Sequence, residues 1–347
     1  MSAEERQTRA QKFREFVTSK TGRFVIIIAQ IDPDALGVAF MLWYILKNLG
    51  KDDVVVIYAG PVGHPQNRAL INRFGLCQKM KTVSAYKHED GDILCLVDSS
   101  SVSDARIPAF KDIFAKSAPQ IVIDHHRGDT FNNGGFYWIE EVGAASTLAV
   151  ELFQDLGLRL DEDYKWIAIT SAVGIYTDTK DLDSASERDL LAYSFISKGV
   201  SITPFVKYKL PASHFTNMAR ALNNLSASGP RAVTGLGFIS SSSADDVAII
   251  ADYLIRREEY NLVLVWAIIE GVVRLSVRTS GVGLSVDEFL KAHLPEGSSG
   301  GKLAPDGHGE GGGSLHLFDG DFWVSPATRP MIEQAVGERM KEIIFKD

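Results

Sequence analysis

An α/β chain is predicted, with a parallel doubly wound sheet in its N-terminal domain and a smaller mixed α/β domain after it. Three observations carry this. Short apolar, β-branched runs recur through the first half, as in strands buried on both faces. Stretches with helical apolar spacing separate them, the rhythm of βαβ units. At 347 residues the chain exceeds one ordinary core, so two domains are expected.

The elements follow in order. "MSAEERQTRAQKFREF" is charged and helix-like and lacks the apolar core of a secretion signal. "RFVIIIA" (residues 23–29) reads as the first buried strand. "DALGVAFMLWYILKNLG" follows as a helix, with Gly50 as its C-cap. "DVVVIYA", "DILCLVD" and "QIVID" read as further buried strands, and residues 66–74 and 144–156 as helices. "WIAITSAVGIYTDT" reads as a helix running into a loop. The character then changes. Residues 1–197 are expected to form the first domain, 198–215 a helical linker and 216–347 the second domain. In the second, "VTGLGFISSS", "NLVLVWAIIEG" and "VVRLSVRTS" read as strands and "ADDVAIIADYLIRR" as a helix. "EGSSGGKLAPDGHGEGGGSL", rich in Gly and Ser, reads as a flexible surface loop. No internal repeat is present.

Composition narrows the function. Hydrophobic residues at 45% and charged residues at 23% are ordinary for a globular protein. The net charge of -8 argues against a long nucleic-acid groove, which needs a basic stripe, but leaves room for a short nucleotide. Two cysteines, Cys77 and Cys95, form neither a disulfide framework nor a zinc spacing, and Cys95 reads as a small buried hydrophobe. No run approaches the ~18 apolar residues of a membrane span, and the expected location is cytoplasmic. No G-x-x-x-x-G-K-[ST] motif appears, so a P-loop NTPase is unsupported.

The chemistry concentrates where the strands end. Asp32 and Asp34 follow the first apolar run, Asp98 ends the third, and Asp124, His125 and His126 end the fourth. Asp178 lies where a helix runs out. In a parallel sheet the strand ends meet at one rim, where ligands bind. Carboxylates crowded there repel unless a cation holds them. Carboxylates with one or two imidazoles suit Mn²⁺ or Mg²⁺. Asp32 and Asp34, two apart, would share a face of extended backbone and serve two adjacent metals. Two metals ~3.5–4 Å apart are the usual apparatus for in-line displacement at phosphorus. Each piece also has a blander use. An Asp after a strand often caps the next helix, a role open to Asp98, and paired histidines are usually surface residues. Four acidic sites in this topology outweigh those readings.

The ordered motifs "DPDALG", "VDSS", "DHH" and "YTDT", with "VGAASTLAVEL" after the third, resemble those of the DHH phosphoesterase superfamily. "LSVRTS" and "GHGEGGGS" resemble motifs of its associated substrate-binding domain. The nanoRNase (oligoribonuclease) and pAp phosphatase type is the most similar; RecJ-type exonucleases are more distant. The resemblance implies a hydrolase with its active site in the cleft between two domains. It implies Asp32 on a first metal, Asp34 on a second and Asp98 bridging both, with His125 and Asp178 completing the second. Asp124 would anchor the histidine loop, and His126 would face the substrate phosphate as proton donor or clamp. A water activated by the metals, Mn²⁺ first or Mg²⁺, would be the nucleophile. Arg278 would grip a phosphate or terminal nucleotide, and His308 with Gly311, Gly312 and Gly313 would let backbone N–H groups approach it.

This chain also departs from the pattern. The family places a histidine before the aspartate pair, where Gln30 and Ile28 stand here. Gln30 offers only a weak amide ligand, so the first metal is expected to be loose and the second tight. Lys180 replaces a usual glycine, and Pro305 and Asp306 precede Gly307. The expected function is metal-dependent hydrolysis of nanoRNA or pAp. A cyclic dinucleotide, or its linear product, is the alternative substrate. A nucleotide-binding module with weakened catalysis is the alternative of another class. Polyphosphate is disfavoured, since only Arg274, Arg278 and Lys302 lie near the relevant segments. The expected partners are a short oligonucleotide or small nucleotide, with no membrane; a homodimer stays open.

Overall fold

The computed structural model describes residues 3–60, 62–102, 107–126, 128, 129, 131, 133–281, 285–303, 308–317 and 325–345. Its contacts divide the chain into two units, residues 1–209 and 210–347. The departures at Pro305, Asp306 and Gly307, and Arg127 beside the histidine pair, lie outside the described residues.

The first unit runs α1 (Ala3–Ser19), β1 (Phe24–Ile28), α2 (Pro33–Asn48), β2 (Val54–Tyr58), α3 (Pro65–Phe74), β3 (Met80–Thr82), β4 (Ile93–Val97), α4 (Lys111–Phe114), β5 (Ile121–Asp124), β6 (Phe136–Ile139), α5 (Ala145–Asp155), α6 (Lys165–Asp178), α7 (Glu187–Ile196) and α8 (Thr203–Val206). The six strands are parallel, in the order β3-β2-β1-β4-β5-β6. β1 is apolar throughout because helices cover both faces. Phe24, Ile26 and Ile28 pack with α2 and α5, while Val25 and Ile27 pack with Leu94, Leu96 and Phe110. Cys95 is fully buried in the same sheet. The strand order reverses between β1 and β4, so the chain leaves these neighbours in opposite directions and opens a crevice at their carboxyl ends.

α2 is apolar nearly all round because α5 and α6 both pack against it. Gly37 permits the approach: a Cβ there would lie 2.3 Å from Ser146 Oγ and 2.9 Å from Ser171 Cα.

The second unit comprises α9 (Ala212–Asn223), β7 (Ser226–Ser228), β8 (Arg231–Phe238), α10 (Asp246–Leu254), β9 (Leu262–Ile269), β10 (Val272–Thr279), α11 (Val286–His293), β11 (Ser299–Leu303), β12 (Gly309–His316) and α12 (Arg329–Phe345). Its mixed sheet has the order β11-β12-β10-β9-β8-β7. A two-residue turn, Glu270 (φ 50) and Gly271 (φ 75), joins β9 to β10 with the left-handed backbone that tight hairpins need. α9 is no linker. Its Ala221 and Met218 pack on the sheet with α10, and Asn217 Nδ2 donates to Asp246 Oδ2 at 2.7 Å. The unit therefore begins at Leu210, not Thr216.

The glycine-rich segment corrects the sequence reading further. Residues 299–303 and 309–315 of it are strands, with β12 paired to β10 on one side and β11 on the other. Glycine is poor in strands, but α11 lies against this one so closely that side chains are excluded. A Cβ on Gly311 would sit 2.5 Å from Val286 Cγ1 and 2.8 Å from Leu290 Cδ1.

At the amino ends of β1 and β4, Arg23 holds the buried Asp92 through Nε to Oδ1 at 2.9 Å and Nη2 to Oδ2 at 2.8 Å. Burial pushes the Asp92 carboxyl up, but hydrogen bonds from Arg23 and Tyr86 outweigh it and hold the pKa below the usual range. A folded pKa below the unfolded one stabilises the protein above about pH 4, and the gain is lost as pH falls through the folded value. We expect Asp92→Asn to lower the urea midpoint at neutral pH. Its deficit against the native chain should shrink as pH drops below about 4; a deficit independent of pH would contradict the assignment.

Candidate metal centre

The crevice is furnished by the residues that follow β1, β4 and β5, and by the helices that abut them. After β1 the chain enters α2 abruptly. Pro33 suits the first helical position, and Asp32 caps it from extended backbone (φ -142, ψ 175), its Oδ1 accepting from Ala35 N at 2.8 Å. Asp34 therefore lies in the first turn of a helix. The expected extended pair sharing one face is not what forms. Asp34 is 1% exposed, and its carboxylate caps a different helix: Oδ2 accepts from Ala145 N at 2.7 Å and Oδ1 from Ser146 N at 2.8 Å. These N–H groups open α5 and have no partner within it. Gly174 of α6 makes room, since a Cβ there would lie 2.8 Å from Asp34 Cα.

Asp98 caps no helix, because none begins in residues 99–102. Its φ of 51 places it in the left-handed region, a strain that side-chain-bearing residues keep mainly at functional sites. Its Oδ1 is buried with no hydrogen-bond partner, 3.5 Å from His125 Nε2, which is likewise buried without one. Burial and the charge of Asp32 push the Asp98 pKa well above the usual range against the opposing pull of the nearby His125 imidazole, and Asp34 and Asp178 add to the rise.

Asp124 ends β5 fully buried. Its Oδ1 accepts from His125 N and pairs with His126 Nδ1, both at 2.8 Å. Burial pushes this carboxyl up, but the bond and charge of His126 win and hold it low. The two imidazoles meet edge to face at 4.1 Å. His125 Nδ1 lies 3.0 Å from the Val142 carbonyl. A carbonyl only accepts, so Nδ1 carries the proton and Nε2 turns to the carboxylates: 3.3 Å from Asp178 Oδ2, 3.5 Å from Asp98 Oδ1 and 4.0 Å from Asp34 Oδ2. Burial would lower the pKa of His125, but the Asp98 bond and the charges of Asp34, Asp178 and Asp98 push it up to about 10.

Asp178 is the last residue of α6 and exposed. Lys180, Asp181 and Leu182 follow with φ of 51, 60 and 73, so Lys180 adopts the conformation its expected glycine would favour. Asp181 N donates to Tyr176 O at 2.8 Å to close this turn.

Donor atoms thus gather in two groups, each within 4.8 Å: one from Asp98, Asp124, His125 and His126, the other from Asp34, His125 and Asp178. Asp32 stands outside both, although its charge is felt at Asp98. Gln30 is exposed, and Ile28 is buried inside β1. Hard carboxylate oxygens around one oriented imidazole, with Asp98 Oδ1 and His125 Nε2 orphaned, fit a divalent cation of the Mn²⁺ or Mg²⁺ class.

The remaining sequence candidates lie in the second unit. Arg278, on β10, forms an ion pair through Nε with Asp252, and its Nη1 donates to Ser276 Oγ at 2.7 Å. His308 is exposed just before β12. Gly311, Gly312 and Gly313 lie within β12, between two partner strands, so the ladder takes up backbone groups that a loop would have left for phosphate. What they supply is missing side-chain bulk. Ser276, Arg278, Gly300 and Glu310 line a shallow cavity on the sheet face that α11 leaves open, and a Cβ on Gly300 would meet nothing within 4 Å. Sequence reasoning missed Glu310 and the buried Asp189; the second was signalled by the capping spacing Ser186-x-x-Asp189.

Residues 24–177 match the family model described as the DHH family, N-terminal domain. An uncharacterized protein of Methanocaldococcus jannaschii is 24% identical over 321 residues, covering 90% of this chain and 62% of that protein. The chain thus spans less than two thirds of that relative's length. A crystal structure of an exopolyphosphatase-related protein from Bacteroides fragilis aligns over 97% of both chains with a TM-score of 0.68 and 17% identity, a likeness of fold. Among the described residues no helix is long and apolar enough to cross a membrane.

A raised folded pKa at Asp98 costs stability above about pH 4. Asp98→Asn should therefore raise the melting temperature of the metal-free protein by a few degrees near neutral pH. Mn²⁺ should then raise the melting temperature of the native protein and not of the variant. Differential scanning calorimetry with and without Mn²⁺ checks both; a variant less stable than the native chain without metal would show that the carboxylate is structural.

Proposed function

Because residues 24–177 match the DHH family model, we propose that the chain is a phosphoesterase that hydrolyses short oligonucleotides (nanoRNA) or pAp with the help of two divalent cations, Mn²⁺ in preference to Mg²⁺. One observation carries the reading: carboxylates on α2, on α6 and after β4 converge on a single imidazole nitrogen whose tautomer a carbonyl has already set. A bound divalent cation supplies charge to offset the phosphate and lowers the pKa of a coordinated water.

The chain's own groups do the rest. Asp34, Asp98, His125 and Asp178 hold the second ion. Asp32 and Asp98 hold the first, with only Gln30 where the family places histidine, so that ion is the weaker. Asp124 keeps a proton on His126 Nδ1 and fixes its ring, which leaves Nε2 for the substrate phosphate or leaving oxygen. In the second unit Arg278, held by Asp252 and Ser276, is the grip for a phosphate or terminal nucleotide. The bare face around Gly300 admits a flat base or ribose, with His308 near its edge. Glu310 on that face disfavours a polyphosphate chain, and the net charge of -8 favours small substrates over polymers.

The test is release of phosphate or mononucleotide from pAp, pApA and cyclic di-AMP across a Mn²⁺ titration. Native turnover should fall at least ~10²-fold in Asp98→Asn, and Gln30→His should reach half-maximal rate at lower Mn²⁺. Cleavage of cyclic di-AMP alone would move the substrate to cyclic dinucleotides. Activity confined to Gln30→His would make the native chain a nucleotide-binding module.

A further inference from the structure

Asp189 lies in the first turn of α7, wholly buried, and is used by nothing in the chemistry above. Its carboxylate accepts from Gly143 N at 3.1 and 3.0 Å, from Thr147 Oγ1 at 2.6 Å, and from Ser186 N and Oγ at 2.8 and 2.5 Å. Capping α7 needs only the Ser186 contacts. The Gly143 contact is different in kind. Gly143 N and the Val142 carbonyl belong to one peptide group, and that carbonyl faces His125 Nδ1 at 3.0 Å.

We propose that Asp189 positions His125 through this peptide: carboxylate to Gly143 N–H at one end, Val142 carbonyl to His125 Nδ1–H at the other. Metal-binding histidines commonly lean on a carboxylate directly; here a backbone amide stands between the two. A charge accepting the N–H polarises the carbonyl and makes it a stronger acceptor, and hydrogen bonds in series reinforce one another at low dielectric. The peptide plane is held by hydrogen bonds at both ends, and Gly143 leaves no room for a side chain beside it. A Cβ there would lie 2.4 Å from Thr179 Cγ2 and 2.7 Å from Asp189 Oδ2. Thr147 lies in the helix whose first N–H groups hold Asp34, so Asp189 touches the supports of two of the converging side chains, His125 and Asp34.

The proposal rests on the reading of the centre as a metal site, and the test separates the two. Mn²⁺ binding to the full-length, metal-free protein is measured by calorimetry for the native chain, Asp189→Asn and Ser186→Ala, with melting temperatures alongside. Asn keeps the shape but aims an amide N–H₂ at groups that are themselves donors. Both variants should melt lower than native. Asp189→Asn should bind Mn²⁺ ~10–100-fold more weakly, and Ser186→Ala within about twofold of native. Equal Mn²⁺ affinity in all three overturns the positioning role and leaves the metal centre standing. Absence of Mn²⁺ binding by the native chain overturns both. Should Asp189→Asn fail to fold, the native protein decides: on adding Mg²⁺ the Gly143 amide proton should move downfield as the series of bonds tightens, and a Gly143 signal that ignores the metal overturns the proposal.

Discussion

The first N–H groups of α5 hold both carboxylate oxygens of the buried Asp34. Much of the first unit follows from that one bond set. It brings the amino ends of α2 and α5 together, and they meet only because Gly37 and Gly174 carry no side chain. A buried carboxylate with good donors is a tolerable charge. It also gives α5 the N-terminal partner that its own Ala144 cannot supply. The same contact joins the helices and fixes a carboxylate of the candidate metal centre, so the centre cannot be softened without loosening the helices around it.

The other carboxylates are less well provided for, and the contrast separates structural from functional groups. Asp92 and Asp189 have donors on both carboxylate oxygens, whereas Asp124, which anchors the histidine pair, keeps its Oδ2 orphaned and Asp98 keeps an orphaned Oδ1 in a strained backbone. Asp98 also has the charges of Asp32, Asp34 and Asp178 against it. Folding alone gives no reason for that arrangement. A divalent cation supplies one, since it turns mutual repulsion into shared attraction.

Much of this was legible in the residues. β1, β4 and β5 announced themselves as apolar runs, and the acidic and imidazole side chains at their ends stood out by type and order. What escaped had physical causes. β3 is three residues long and mostly polar, so its neighbour strand decides it, and β6, though apolar, is only four residues long, too short to stand out. The strands β11 and β12 carry the composition of a loop, and only the helix lying on them explains it. Asp32 and Asp34 were expected in extended backbone, but Pro33 starts a helix between them. Asp189 acts through a peptide group of a distant loop, and no spacing in the sequence reveals a contact made by backbone.

The glycines of β12 serve two masters at alternate positions. Gly309, Gly311 and Gly313 face α11 and the residues just after it, where there is no room for a methyl group. Gly312, on the opposite face, is limited mainly by the Leu275 carbonyl at 3.0 Å. A run that looks like low complexity is therefore two interleaved records, one of helix packing and one of an open floor. Drift in related chains would wear them down at different rates: the packing glycines would persist even in a descendant that had ceased to bind anything, while the intervening position would be the first to acquire a side chain.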